Sequence, residues 1–219
     1  MRKIIFTLCL LSLVVAFNGV AAEKSPTEYL QPVLDDLIIV LSDESLKGFE
    51  HLEERRSKIM DLISGGFDFR EMSRRVLGKT WREIDDAEKD HFTAIMTKLL
   101  ENVYIGKLEG YSGQSVDFAG EVIKGKKAQV TTLLENEGVK IPVHYIMRDN
   151  GTRWMVYDIN IEGVSLVRNY QEQFKSILRK EKYHGLVKVL EEKNRSFLEE
   201  ENTRSPGDDP ISAREHDVK

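Results

Sequence analysis

The chain has 219 residues, with 32 Lys and Arg against 37 Asp and Glu, which gives a formal charge of −5. This acidic balance argues against nucleic acid as a partner and against adsorption to an anionic membrane surface by net charge. The single cysteine, Cys9, lies in the apolar N-terminal segment, so the rest of the chain has neither a disulfide framework nor a cysteine-based metal site.

The first residues have the pattern of a secretory signal. Arg2 and Lys3 precede an apolar run from Ile4 to Phe17, and Val20-Ala21-Ala22 supplies the small residues of a cleavage site. We therefore predict that residues 1–22 form a cleaved signal peptide and that the mature chain is exported to the periplasm. Without Arg2 and Lys3, 30 basic residues face 37 acidic ones, a formal charge of −7.

Hydrophobic periodicity predicts helices at both ends of the mature chain. Asp68 with Glu71, and Asp85 with Glu88, have the spacing of capping boxes that open helices. The apolar stripe after Asp85 is the strongest helical signal in the sequence. The predicted helices cover about residues 29–41, 42–64, 68–77, 86–108, 166–180 and 186–197.

Between the helical regions the period changes to that of strands. Four strands are predicted, at Val116–Ile123, Ala128–Leu134, Val139–Met147 and Trp154–Ile161. Their short connections require an antiparallel meander, and Asn150-Gly151 predicts a type I′ hairpin turn. Pro142 predicts an edge strand or a bulge.

The fold class is therefore α+β, a twisted antiparallel sheet of about four strands packed with N- and C-terminal helices. We predict one domain over residues 23–198 and a disordered acidic tail over 199–219. The fourth strand is apolar on both faces at its start, at Trp154 and Val156. Either helices cover both faces of the sheet, or part of one face lines a cavity.

Chemically reactive patterns are sparse. The five histidines form no HExxH motif and no pair with helical metal-ligand spacing, and we predict no metal site. Ser165, His144 and Asp158 could be written as a triad, but no G-x-S-x-G surrounds Ser165, which has the place of a helix cap. Asp158 and Glu162 could serve as general acid and base. We predict no catalytic residue and no enzymatic activity.

Three stretches resemble one known family. "FDFREMSRRVLGKTWREIDDAEKDHF" (Phe67–Phe92) resembles the D-x-x-x-M-x-x-x-V-L-G-x-x-W-R signature of the periplasmic MlaC family, also called the toluene-tolerance auxiliary family. The resemblance continues through "LLENVYIGKLEGYSGQSVDF" (Leu99–Phe118) and "WMVYDINIEGVSLVRNYQEQF" (Trp154–Phe174). Gln171 departs from the pattern, since many relatives have an arginine there.

The resemblance implies a fold with an NTF2-like part and a helical part around an apolar lipid cavity. It implies a soluble phospholipid carrier of the periplasm, without a cofactor, whose bound phospholipid is its cargo. Its partners would be an outer-membrane lipoprotein complex and the lipid-binding component of an inner-membrane ABC transporter, and its role the maintenance of outer-membrane lipid asymmetry. An NTF2-like hydratase or isomerase and a lipoprotein chaperone are the alternatives. We expect a monomer, because no heptad seam is present.

The candidate lipid-binding residues are apolar or aromatic, and packing in the protein core is the open alternative for each. They come from the long helix, the last two strands and the strand-to-helix corner: Val103, Tyr104, Tyr145, Met147, Trp154, Val156, Val164, Leu166, Val167, Tyr170 and Phe174.

Overall fold

A computed structural model describes residues 24–111, 113–136 and 138–203, in the predicted order of helices, sheet and helix. The predicted signal peptide lies outside these residues. Within them, every helix is too short or too polar to cross a bilayer. The helices are α1 Pro26–Ser42, α2 Leu52–Gly66, α3 Phe69–Leu77, α4 Asp86–Glu109 and α5 Leu166–Thr203, with short 3₁₀ turns at Glu44–Leu46, Phe49–His51 and Thr80–Arg82.

Side-chain caps set the helix starts. Asp85 and Glu88 form the predicted capping box at α4, each side chain accepting from the other residue's backbone N–H at 2.8 and 3.0 Å. The second helix was predicted to begin at Ser42, but α2 begins at Leu52. The Asp43 side chain accepts from the backbone N–H of Ser45 at 2.9 Å and opens a 3₁₀ turn, and Gly48, at φ 102°, interrupts the chain before α2.

The sheet is an antiparallel meander in the order β1-β2-β3-β4-β5, which confirms the predicted topology. The two-residue β5 adds a fifth strand to the four predicted. The strand bounds are β1 Ser115–Lys124, β2 Lys127–Asn136, β3 Val139–Asp149, β4 Trp154–Ile161 and β5 Val164–Ser165.

Of two local predictions about the sheet, the one for Pro142 holds in part and the one for Asn150-Gly151 is wrong. Pro142 lies in β3, which is an interior strand, and the bulge between β3 and β4 lies at Ile146/Met147. The pairing with β4 starts only at Val143, so Pro142 has a neighbouring strand on one side alone and its missing N–H breaks no ladder on the other. At Asn150-Gly151 only the glycine has positive φ, which excludes a type I′ turn.

The apolar core forms three clusters. The helical cluster is buried between α3, α4 and α5: Met72, Val76, Leu77, Trp81, Ile84, Phe92, Met96, Leu99, Leu100, Val167, Tyr170, Phe174, Tyr183, Leu186 and Leu190. The sheet cluster lies between α1 and the sheet: Leu30, Leu34, Phe67, Ala128, Val130, Val143, Tyr145, Met147, Trp154 and Val156. A third, smaller cluster joins Leu41, Ile59 and Ile105.

The range given for α5 contains two helices that meet at a kink, as the two predicted helices at its position require. Lys182 has φ 61° and ψ −167°, a conformation that is nearly restricted to glycine. Across the kink, a Cβ atom on Gly185 would lie 2.3 Å from the Cβ atom of Glu181. The glycine is therefore required by this close approach. The helix continues to Thr203, so residues 199–203 of the predicted tail are helical, and residues 204–219 lie outside the described part.

Candidate functional site

The corner between β4 and α5 is built by two side chains. Ser165 Oγ accepts from the Arg168 N–H at 3.0 Å, as predicted for a helix cap, and donates to Asp158 Oδ2 at 2.6 Å. Asp158 Oδ1 accepts from the Val167 N–H at 3.0 Å. Both carboxylate oxygens of Asp158 thus hold the first turn of α5, and Gly163, at φ 87°, allows the preceding turn.

Six of the predicted lipid-binding residues lie together in the helical cluster or pack against it. Val167, Tyr170 and Phe174 are buried there, and the half-buried members are Val103, Tyr104 and Leu166. The Tyr170 and Phe174 ring centroids are 5.5 Å apart. Burial and then the neighbouring Tyr104 phenol raise the pKa of Tyr170, and burial raises the pKa of Tyr104. Both phenols therefore stay neutral among apolar groups.

Four more predicted residues, Tyr145, Met147, Trp154 and Val156, lie in the sheet cluster. Met147 is opposite Val156 in the register, and Tyr145 is two residues before it on the same face of β3. Val156 is fully buried and Met147 is 1% exposed. Burial raises the pKa of the Tyr145 phenol. The structure therefore divides the predicted site between two clusters, one helical and one on the sheet.

One aromatic side chain that sequence reasoning did not select connects the two clusters. Phe69, at the start of α3, is half buried and packs against both the helical and the sheet cluster. Its ring stacks on Phe67 at a centroid distance of 6.3 Å. The signal for it is the Phe-Asp-Phe pattern around the cap residue Asp68, which places an aromatic on each side of the residue that opens α3. Phe69 marks the boundary along which the two clusters meet.

Val164 is the one predicted residue that the structure places outside both clusters, and it is 61% exposed. It pairs with Ile161, which pairs in turn with the buried Val143. Together with Val139 at the start of β3, these exposed residues form an apolar rim, which we define as Val139, Ile161 and Val164. The apolar face of the sheet therefore continues from the buried core to the surface at this end.

A buried carboxylate joins α3 to the sheet. Glu71 accepts from Arg74 through two bonds of 2.6 Å and from Arg75 at 2.9 Å, and Arg148 of β3 lies 3.4 Å away. Burial raises the pKa of Glu71, but the hydrogen bond from Arg74 and the charges of Arg148, Arg74 and Arg75 outweigh it and hold this pKa below its ordinary value. The Asp68–Glu71 capping box is therefore only half formed: Asp68 accepts from the Glu71 N–H, whereas the Glu71 side chain turns to the arginines.

Gln171, the departure from the family pattern, has a contact of its own. Its side-chain amide donates to the backbone oxygen of Arg75 at 3.4 Å. The Arg75 guanidinium in turn lies 3.8 Å from the centroid of the Tyr157 ring. Gln171 therefore ties the first half of α5 to α3 and, through Arg75, to the buried Tyr157 of β4.

The described residues do not bring the candidate catalytic side chains into hydrogen-bonding contact as a triad. His144 Nδ1 lies 3.0 Å from Thr131 Oγ1 and 3.3 Å from Gln129 Nε2, and within the described residues it makes no hydrogen bond to Ser165 or Asp158. Glu162 is exposed on the turn before β5. In the described ranges no three His, Asp or Glu side chains lie close enough together to hold a metal ion.

Two grooves in the described part of the chain are open to solvent and contain none of the predicted lipid-binding residues. One, of about 460 Å³, runs along polar residues of α1, among them Glu28 and Asp35. The other, of about 470 Å³, lies between α4 and the end of α5, beside His91 and Leu198. Neither groove corresponds to the predicted lipid cavity, which stays a prediction.

Comparison with known proteins decides the family. The family model described as MlaC protein matches residues 31–192. The chain belongs to the MlaC family. One solved structure of similar fold is that of the phospholipid-binding protein from Ralstonia solanacearum in complex with a phospholipid. It superposes with a TM-score of 0.73 at 23% identity, over 80% of this chain and 99% of that one. This MlaC chain therefore shares the helix-and-open-sheet fold of that protein over nearly the whole of the smaller chain.

Proposed function

We propose that this MlaC chain binds a phospholipid whose acyl chains lie between the helical cluster and the sheet cluster. The observation that carries the proposal is the boundary at Phe69, which runs between two apolar surfaces. The sheet side of this boundary continues to the apolar rim at the surface. The phospholipid held by the Ralstonia solanacearum protein of the same fold supports the class of ligand.

The transfer free energy explains why such a site needs no reactive group. Two acyl chains with about 30 methylenes gain roughly 25 kcal/mol on leaving water, at about 0.8 kcal/mol for each methylene. This gross value exceeds the practical ceiling for non-covalent affinity of about 18–21 kcal/mol. The net binding free energy is smaller, because ordering the lipid and opening the protein cost free energy. Relative to a bilayer most of the gain cancels, so a carrier can release its lipid to another apolar site.

The opening that the proposal requires would be local. The helical side of the boundary is held to α3 by the Gln171 amide and to β4 by the Asp158–Ser165 cap, while Val103, Tyr104 and Leu166 are only half buried. Acyl chains that part the clusters would replace side-chain contacts with lipid contacts of the same apolar kind. The headgroup would stay at the apolar rim, near solvent.

In the cell, the chain would act in the periplasm as a lipid shuttle. It would exchange phospholipid between an outer-membrane lipoprotein complex and the lipid-binding component of an inner-membrane ABC transporter, and so maintain the lipid asymmetry of the outer membrane. Family membership and the apolar site support this role, which requires no catalytic step in the chain.

Native mass spectrometry tests the proposed ligand. The mature protein is purified from the periplasm without detergent, and its mass is measured before and after organic extraction. We expect a mass increment that matches a diacyl phospholipid. A lipid-free mass that also persists after incubation with phospholipid vesicles would overturn the proposal.

A further inference from the structure

The tip of the β1–β2 hairpin combines exposed apolar and basic side chains. We define the hairpin tip as Val122–Lys127. Val122 is 56% exposed and Ile123 is 49% exposed, although both are large aliphatic residues. Lys124, Lys126 and Lys127 follow at once and are all exposed. Neither the helical cluster nor the sheet cluster includes a residue of this tip.

The two apolar side chains point in opposite directions. In the register, Val122 is opposite Gln129 and Ile123 is opposite Ala128, so they lie on opposite faces of the sheet. β1 is an edge strand, and from Ala119 to Lys124 it is exposed throughout. A flat protein interface would cover one face of such a hairpin. A medium that surrounds the tip covers both, and this is what the interfacial layer of a bilayer offers.

The charges at this end of the sheet favour an anionic surface. No carboxylate of the described residues forms an ion pair with Lys124, Lys126 or Lys127. Two acidic side chains of the neighbouring strands are hydrogen-bonded to backbone groups: Glu121 accepts from the Thr27 N–H at 2.8 Å, and Asp149 accepts from the Gly151 N–H at 2.7 Å. The tip is thus a locally basic site on an acidic protein.

Other charged groups at the same end leave this balance positive. Lys24 lies 5.9 Å from the Tyr29 ring centroid, and the Tyr29 hydroxyl donates to the Thr152 oxygen in the β3–β4 loop, next to the exposed Arg153. Another carboxylate at this end is Glu28, which accepts from the Ser25 N–H at 2.7 Å. Lys24, Arg153 and the three lysines of the tip are thus five cations beside the carboxylates of Glu28, Glu121 and Asp149, while Arg148, opposite Lys127 in the register, pairs with Asp68 and Glu71.

We infer that the hairpin tip docks the protein on a bilayer of anionic phospholipid, with Val122 and Ile123 in the interfacial layer and the three lysines among the headgroups. This goes beyond cargo binding, because the tip lies apart from both apolar clusters. Each lysine near such a surface strengthens binding about fivefold, so the three together contribute roughly 100-fold. The net negative charge of the protein makes the attachment weak and reversible.

Vesicle co-sedimentation tests the docking. The mature chain is mixed with vesicles of phosphatidylcholine alone or with 30% phosphatidylglycerol by design, at low ionic strength and again at higher salt. We expect binding only to the anionic vesicles, weakened by salt. The variant K124Q/K126Q/K127Q should lose roughly 100-fold in affinity. A charge-matched variant at exposed lysines elsewhere, K47Q/K79Q/K180Q, should bind as the wild type does.

Insertion of the tip is measured separately. The mature sequence has no cysteine, so I123C can be labelled with an environment-sensitive fluorophore, and I39C, at an isoleucine that is 65% exposed on α1, serves as the control. We expect a blue-shifted emission with anionic vesicles for the label at position 123 only. Equal shifts at both positions, or equal binding by the two lysine variants, would overturn the inference, and so would the absence of binding to anionic vesicles. Extracted cargo lipid should be the same for V122S/I123S and wild type, which separates this test from that of the proposed ligand.

Discussion

Replacement of Glu71 by glutamine tests how α3 is held to the sheet. Glu71 is 4% exposed and accepts charge-assisted hydrogen bonds from Arg74 and Arg75, with Arg148 beside it. Removing one partner of a buried ion pair costs about 3–5 kcal/mol. The three guanidinium groups are 45%, 28% and 37% exposed, so they regain solvent in the variant and the lower end applies. We expect E71Q to lose about 3 kcal/mol of unfolding free energy.

Urea unfolding followed by tryptophan fluorescence measures this loss. With a slope of about 2 kcal/mol per molar urea, the midpoint should fall by about 1.5 M. Glu172, whose exposed carboxylate lies 3.1 Å from Lys175, supplies the matched control, and E172Q should change the unfolding free energy by less than about 1 kcal/mol. A midpoint for E71Q within experimental error of that for E172Q would refute the assignment of Glu71 as a structural ion-pair residue.

The lowered pKa of Glu71 also gives a pH dependence. Its carboxylate titrates at lower pH in the folded chain than in the unfolded chain, so its stabilisation is fully present above the ordinary pKa of about 4.3. The stabilisation is lost as the pH falls through the folded-state pKa. The difference in unfolding free energy between wild type and E71Q should therefore be constant near neutral pH and shrink in acid. A difference that grows on acidification would contradict this sign.

Three further variants test the apolar rim and the kink. V164D should reduce phospholipid occupancy in native mass spectra and leave stability within about 0.5 kcal/mol, because Val164 is 61% exposed, whereas I39D at a similarly exposed site should leave occupancy unchanged. K182G should raise the unfolding free energy by about 1 kcal/mol, because glycine adopts φ 61°, ψ −167° without strain. G185A should lower the unfolding free energy by about 2 kcal/mol, since the added Cβ meets Glu181 at 2.3 Å. Equal urea midpoints for K182G, G185A and wild type would show that the kink is not formed in solution.

The meander and the long helix α4 could be predicted because their signals are local. Short turns between β-patterned segments permit only antiparallel neighbours, and the Asp85–Glu88 box marks the start of α4 by two hydrogen bonds within one turn. The start of α2 could not be read in the same way. Ser42 is a common cap residue, but Asp43 forms a competing cap and Gly48 interrupts the chain.

The candidate site was harder to predict because its assembly is non-local. The role of Glu71 depends on Arg148, which reaches it only when β3 is placed beside α3. Helical or strand spacing correctly selects Tyr170 and Val156 as buried, but it cannot tell that they belong to different clusters or that Phe69 joins these. Val164 follows the apolar pattern of the corner and is nevertheless exposed, because β5 is an edge strand of the sheet.

Photo-crosslinking with a phospholipid that carries a diazirine near the end of one acyl chain tests the central claim most directly. The mature protein is loaded from vesicles, irradiated and digested, and the labelled residues are identified by mass spectrometry. We expect adducts on both sides of the boundary, on Phe69, on Tyr145 or Met147 of the sheet, and on Tyr170 or Phe174 of α5. Adducts confined to the two solvent-exposed grooves on α1 and between α4 and α5 would contradict it.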